Sequence, residues 1–199
     1  MEPDLEVVQI RRGESFKAWS HGYPFHTVRW HFHPEYELHQ VVATSGRYFV
    51  GDFIGEFEPG NLVLTGPNLP HNWVSDLPPG STNPLRGRIL QFSEAFIGDL
   101  MKVMSELSGL AALLEFSRRG ALFTRSTSDK IAPLMEEIAT AERCAPDRAV
   151  PDDPGNAPPR PKRASALEPE LFACPLGIHV RGDEQGARLH PAEPDAAFR

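Results

Sequence analysis

Cysteine is nearly missing from this chain: only Cys144 and Cys174 occur among its 199 residues, and they form no C-x-x-C pair. That excludes a disulfide framework and any cysteine-based zinc or redox motif. Positive charge is short as well, with 20 Lys and Arg against 27 Asp and Glu and a net charge of -7. Such a balance argues against a surface built to neutralise phosphates. No segment approaches the run of about 18 apolar residues that a membrane span needs. The start, MEPDLEVVQIRRGE, lacks the basic stretch and apolar core of a leader. The expected location is the cytoplasm, with no membrane partner. Helical periodicity is absent before residue 93, and after residue 143 there is no sustained period of either kind.

What is present is a series of short, strand-like pieces. LEVVQIRR and SFKAW, separated by Gly13, predict a β-hairpin or the first two strands of a sheet. HTVRWHFHP, EYELHQVVAT, GRYFVGDF, IGEFEPG, NLVLTGP, HNWVSD and RGRILQF follow, punctuated by Pro34, Gly46, Gly51, Gly55 and Pro59-Gly60. Near-regular spacing of this kind predicts a mainly β domain over residues 5–92, an antiparallel sandwich or barrel of jelly-roll type.

The period changes at Ser93. Phe96, Leu100, Val103, Met104 and Leu107 share one helical face, and Leu110, Leu113 and Leu114 extend an apolar stripe beyond Gly109. ALF at 121–123 is a possible return strand by composition, and Ser126 with Asp129 resembles a capping box. It would open a second amphipathic helix carrying Ile131, Leu134, Met135 and Ile138. Two helices, over 93–107 and 127–142, are therefore expected in a segment ending at residue 143. Their apolar faces must be buried either on the sheet or on a second copy of the chain, and a homodimer is expected.

Residues 144–199 hold ten of the twenty prolines, with much Ala and Arg. Such a composition cannot bury enough apolar surface to offset chain entropy, so a disordered tail is expected. Its Pro, Ala and Arg mix is also that of out-of-frame GC-rich DNA. A shifted reading of the codons for Val180 to Pro191 permits FEAMNKVLDYI, so the tail is read as either a natural tail or a frameshift product.

The chemistry-bearing stretch runs from Arg29 to Trp73. Residues two apart on a strand point the same way, which places His31, His33 and Glu37 on one face of an extended strand. His71 arrives after a proline turn. Three imidazoles and one carboxylate form either a metal site or a polar pocket floor. His39, Gln40 and the aromatics Trp73 and Tyr36 are further candidates for hydrogen bonding or stacking against a ligand, while Trp30 and Phe32 fall on the opposite face from the histidines. His21 and His26 read as structural histidines.

The run WHFHPEYELHQVVATSGRYFVGDFIGEFEPGNLVLTGPNLPHNW resembles the N-terminal cupin domain of AraC/XylS-type transcriptional regulators. The resemblance rests on His31, His33 and Glu37, then Pro59, Gly60, Leu62 and Leu64, then Pro67, Pro70 and His71, and covers about residues 5–143. It implies a cupin barrel, a double-stranded β-helix, that binds a small polar effector such as a sugar or sugar acid, followed by helices that mediate dimerisation. In the family DNA is bound through a C-terminal domain, whose beginning the out-of-frame FEAMNKVLDYI resembles. In frame, nothing after residue 143 offers a helix-turn-helix pair, so this chain is not expected to bind an operator by itself. His31, His33, His39, Glu37, His71 and Trp73 are the expected ligand-binding residues. The H-x-H-x3-E pattern with His71 also suits a divalent metal, zinc, nickel, manganese or iron. That would make the competing reading a metal-dependent cupin enzyme, a dioxygenase or isomerase. Against it, His71 stands in P-x-x-P-H and not in the P-x-G-x-x-H of metal-binding cupins. No cofactor is required on the first reading.

Overall fold

The computed structural model describes residues 2–25 and 29–141. The strands among them are β1 (Asp4–Leu5), β2 (Phe16–Tyr23), β3 (His31–Phe32), β4 (Tyr36–Val41), β5 (Gly46–Val50), β6 (Phe53–Phe57), β7 (Leu62–Thr65), β8 (His71–Ser75) and β9 (Asn83–Phe92). Helix α1 (Glu94–Val103), a 3₁₀ turn (Ser105–Gly109), α2 (Leu110–Ser117), the short β10 (Ala121–Leu122) and α3 (Arg125–Thr140) complete the order. One five-stranded sheet runs β1-β3-β8-β5-β6 and the other β10-β7-β4-β9-β2. They face each other as a cupin-like jelly-roll barrel, the mainly β fold that the strand spacing predicts.

Strand β4 explains how one barrel carries two interiors. It is buried along most of its length, and its side chains alternate between two environments. Tyr36 and Leu38 join Leu62, Leu64, Leu114 and Phe123 in an apolar cluster between the outer face of the sheet and the helices. Glu37, His39 and Val41 point inward, where Val41, Tyr48, Val50, Phe57, Val63 and Trp73 form the second cluster. A strand covered on both faces cannot be read from alternation alone.

Several expectations are corrected. No N-terminal hairpin forms: β1 runs parallel to β3, whereas β2 pairs antiparallel with β9 in the other sheet. The ten-residue β9 offers β2 a longer ladder than any local partner. His31 and Glu37 do not share one strand either. Pro34, which has no N–H and a fixed φ, lies between β3 and β4, and the chain crosses there from one sheet to the other. In the expected helix over 93–107, Ser93 caps α1 by accepting from the Phe96 N–H at 3.1 Å. The helix stops at Val103, because Met104 is extended (φ -115°, ψ 97°), and a separate α2 begins at Leu110. Three α-helices thus stand where two were expected. For α3 the cap is Thr124, whose side chain accepts from the Thr127 N–H at 3.2 Å, and not Ser126.

Ile97, Met101, Leu113 and Ile131 do pack on the sheet within the monomer, while Val103, Met104, Leu134 and Ile138 remain exposed. No helix of the described residues is long and apolar enough to cross a membrane. The expected tail at 144–199, the last residues of the segment ending at 143, and His26 lie outside the described residues.

Candidate functional site

The interior of the barrel brings together all six residues that the sequence singles out. His31 on β3 lies directly opposite His71 on β8. Their ring centroids are 4.4 Å apart, and His33, just past β3, stands 5.0 Å from His71. From the facing sheet β4 contributes Glu37, only 2% exposed, and His39. Trp73, two residues after His71, packs against His39 with centroids 4.0 Å apart. The convergence of His31, His33 and Glu37 is real, but it is made across two sheets and not along one strand.

Each imidazole of the triad is fixed by a main-chain carbonyl. His31 Nδ1 donates to the Arg29 carbonyl at 2.7 Å, His33 Nδ1 to the Glu35 carbonyl at 3.2 Å, and His71 Nδ1 to the Leu69 carbonyl at 2.8 Å. A carbonyl only accepts, so every Nδ1 carries the proton and every Nε2 is turned toward the interior. Ligand-capable atoms of the three histidines lie within 4.8 Å of one another.

The Nε2 atoms meet different fates. His33 Nε2 donates to Glu37 Oε2 at 3.1 Å, and His31 Nε2 reaches Glu6 Oε2 at 3.2 Å. With both ring nitrogens donating, these two are imidazolium ions. Burial alone would lower their pKa values, but the hydrogen bonds to Glu37 and Glu6 outweigh it and the net direction is upward. His71 behaves oppositely: burial, together with its charged neighbours His31 and His33, pushes it down to about 4. Its Nε2 is therefore a bare lone pair, buried without a hydrogen-bond partner and 3.6 Å from Glu37 Oε1. Two buried acceptors facing each other at this distance call for a proton or a cation between them. His39 is also neutral, since burial outweighs the pull of Glu37; its Nδ1 is 3.5 Å from Oε1, too long for a good hydrogen bond.

Glu37 anchors the network. Burial pushes its carboxyl up, yet the hydrogen bond from His33 and the imidazoles of His39 and His71 beside it hold it well below the usual carboxylate range. Gln91 on β9 donates from Nε2 to Glu37 Oε2 at 2.9 Å and accepts from Trp19 Nε1 at 3.2 Å. Gln91 was absent from the sequence candidates, although its strand was recognised; its alternation from Ile89 places it on the inward face. Glu6 and Arg86 were also missed, because only long-range pairing brings them in. Gln40 and Tyr36, by contrast, point away from the barrel interior, Gln40 accepting from Arg88 Nη1 at 3.4 Å and Tyr36 stacking on Phe92 at 5.4 Å.

Between the sheets a cavity of about 40 Å³ is bounded by Glu6, His31, Glu37 and Asn72, by His21, His39 and Arg86, and by the apolar Trp19, Phe25, Trp73 and Ile89. A far larger depression, about 860 Å³, opens elsewhere on the surface beside Arg47, Glu56, Asp76 and Arg125. It is open to solvent and contains none of the interior histidines.

The three imidazoles fit a divalent cation on chemical grounds: each is held by a carbonyl through Nδ1 beside one carboxylate, so that a cation would take the bare Nε2 of His71 and displace the Nε2 protons of His31 and His33. His31, His33 and His71 would supply Nε2 and Glu37 an oxygen.

A cupin-like barrel with polar side chains gathered between its sheets defines the class: a small-molecule-binding barrel domain. Within that class the chain belongs to the AraC-like ligand binding domain family, whose model matches residues 17–138. Small-molecule effector binding follows from this membership. No curated protein matches the chain significantly. Among solved structures it is similar to ToxT from Vibrio cholerae at 10% identity, covering 61% of this chain and 48% of that one with a TM-score of 0.38. A second ToxT structure, from strain O395 and bound to (E)-4-(8-methylnaphthalen-1-yl)but-3-enoic acid, shares 13% identity over 63% of this chain and 48% of that one, with a TM-score of 0.39. The chain spans about half the length of these structures.

Proposed function

We propose that this domain is the effector-sensing part of an AraC-type transcriptional regulator, with the effector received between the two sheets. The observation that carries the reading is the cavity between the two sheets of a domain of this family, floored by Glu37 and walled by Trp19 and Trp73. In the form described, the cavity has room for about three water molecules. Pockets for drug-sized ligands run to roughly 300–1,000 Å³. A sugar or sugar acid therefore needs the space between the sheets to widen, beside half-buried Trp19 and Phe25. Output is expected through a homodimer formed by the exposed residues of α1 and α3, in the cytoplasm, with DNA engaged through the C-terminal domain of such regulators. A thermal-shift screen of monosaccharides and sugar acids tests the sensing role: a ligand at a hundred times its Kd stabilises by about 2.7 kcal/mol. No shift across the panel overturns a sugar-type effector.

A second reading has its own observation. The unpartnered Nε2 of His71, facing Glu37 beside two other carbonyl-fixed imidazoles, supports a divalent metal at His31, His33, His71 and Glu37. Bound there, a metal would orient an effector's oxygens or, in a metal-dependent cupin enzyme such as a dioxygenase or isomerase, act as a Lewis acid. Elemental analysis of protein purified without chelator separates the two: no divalent metal at near-stoichiometric level ends the metal reading and leaves the sensing one standing.

A further inference from the structure

Arg86 is the least expected side chain in the interior. It is 2% exposed, among the most buried large residues in the described chain. A buried guanidinium is costly unless an acid compensates it. Here none does: Nε donates to Ser75 Oγ at 2.9 Å, Nη2 donates to the Trp73 carbonyl at 2.8 Å, and the Phe57 ring lies 5.6 Å away. No carboxylate pairs with it among the described residues, and Glu37 and Glu6 are spoken for by His33, Gln91 and His31.

Its position is built by the backbone. The β2–β9 ladder pairs His21 with Gly87 but Tyr23 with Asn83, so β9 carries extra residues there. The Arg86 carbonyl accepts from both the Val42 and Ala43 N–H groups at 2.8 and 3.1 Å. Such a bulge re-aims a side chain, and Arg86 reaches across the barrel to β8. Next to it Gly87 leaves room for two imidazoles, since a Cβ there would stand 3.0 Å from His21 Nε2 and 3.1 Å from His39 Nε2. Asn72, at the same cavity, has a buried Oδ1 without a partner. A cation without a carboxylate counter-ion among the described residues, a free acceptor and aromatic walls thus border one cavity.

We propose that Arg86 is the anion anchor of the cavity, and that the effector is a small organic carboxylate whose charged head sits on this guanidinium. The assignment rests on the effector-binding reading and names its ligand class. A guanidinium fork matches a carboxylate, and the exchange replaces an uncompensated buried charge by a pair. The space already present suits a head the size of formate or acetate.

The test is an NMR titration of the full chain, treated with chelator so that no metal competes, at constant ionic strength. Formate and acetate are compared with formamide and acetamide, following the Arg86 Nε–H and the Trp19 and Trp73 indole N–H signals. Saturable shifts with the acids, at least tenfold weaker with the amides and at least tenfold weaker in Arg86→Met, are expected. Arg86→Lys, which keeps the charge but loses the fork, should fall between. Equal binding of acid and amide, unchanged formate affinity in a folded Arg86→Met, or no saturable shift by 100 mM formate, as an order-of-magnitude ceiling for a lone head group, each overturns the anchor. Tighter binding of inorganic phosphate than of acetate overturns the carboxylate assignment. The acid and amide comparison on the wild-type chain decides alone if Arg86→Met does not fold. Neutral sugars that stabilise the protein without any acid preference would sink the anchor and spare the sensing reading, whereas acid-specific binding of formate and acetate with no shift from any sugar or sugar acid would keep the anchor and end the sugar-type effector.

Discussion

The carboxylate of Glu37 holds the interior network at the level of single residues. It receives His33 and Gln91 and has the bare nitrogen of His71 in front of it. Glu37→Gln removes the counter-charge of the His33 imidazolium and sets two amide groups against each other at Gln91. Breaking a buried ion pair from one side costs about 3–5 kcal/mol, and the expected loss here is about 3 kcal/mol by urea denaturation. His33 should then titrate at lower pH by NMR; an unchanged His33 would mean that Glu37 is not its partner. His71→Ala removes one metal-capable nitrogen without touching a charge pair, so on the metal reading it abolishes divalent uptake in elemental analysis while chelator-treated stability changes less than in Glu37→Gln. Six of these residues were legible in sequence because ligand-type side chains at strand spacing stand out. Gln91, Glu6 and Arg86 were not, since they become neighbours only through the β4–β9 pairing, the β1–β3 pairing and a bulge.

Elements were read well where one residue type decides them and poorly where packing does. Gly51, at φ 58°, takes the first central position of the two-residue β5–β6 turn, a place that favours glycine. The spacing of such turns made the strand series visible. The helical end was harder, because Ser126-x-x-Asp129 has the residues of a cap while Thr124 has the geometry. Thr124→Ala should therefore cost about 1 kcal/mol, and Ser126→Ala a few tenths at most, in parallel denaturation curves. Equal losses would restore the capping box. Gly66 tests the seam between α2 and β7: a Cβ there would lie 2.7 Å from Arg118 Cα, and the Gly66 N–H already donates to the Ser117 carbonyl at 2.7 Å. Gly66→Ala should destabilise by about 2 kcal/mol, in the range of overpacking, while leaving the histidine cluster's NMR signals in place.

For the molecule as a whole, the opposed histidine shifts set its response to pH. His21 and His71 fall from an ordinary 6.5 to about 4, so between those values the unfolded chain binds more protons and stability declines as pH drops. Glu37 adds to the acid side, because its stabilisation is present above the ordinary carboxylate value of 4.5 and is lost as pH falls through its depressed folded pKa. His31 and His33 act on the other limb: their contribution is complete below 6.5 and is lost as pH rises through their raised folded values. A stability maximum near pH 6.5 is expected in urea midpoints measured across pH, with the acid limb beginning well above the carboxylate range. A flat profile from pH 5 to 7 would contradict it.

The barrel and the helices are joined by β9. On one side it presents Arg86, Ile89 and Gln91 to the cavity. On the other, Arg88 Nη2 donates to Glu136 Oε2 of α3 at 2.8 Å, and Phe92 stacks on Tyr36 beneath the helices. Close-packed interiors pass strain along and do not absorb it. A guest that widens the space between the sheets by a few tenths of an ångström thus leans on a ten-residue beam whose far side carries the helix. Arg88→Ala, which cuts the tie between this strand and α3, is the change expected to separate cavity occupancy from helix position.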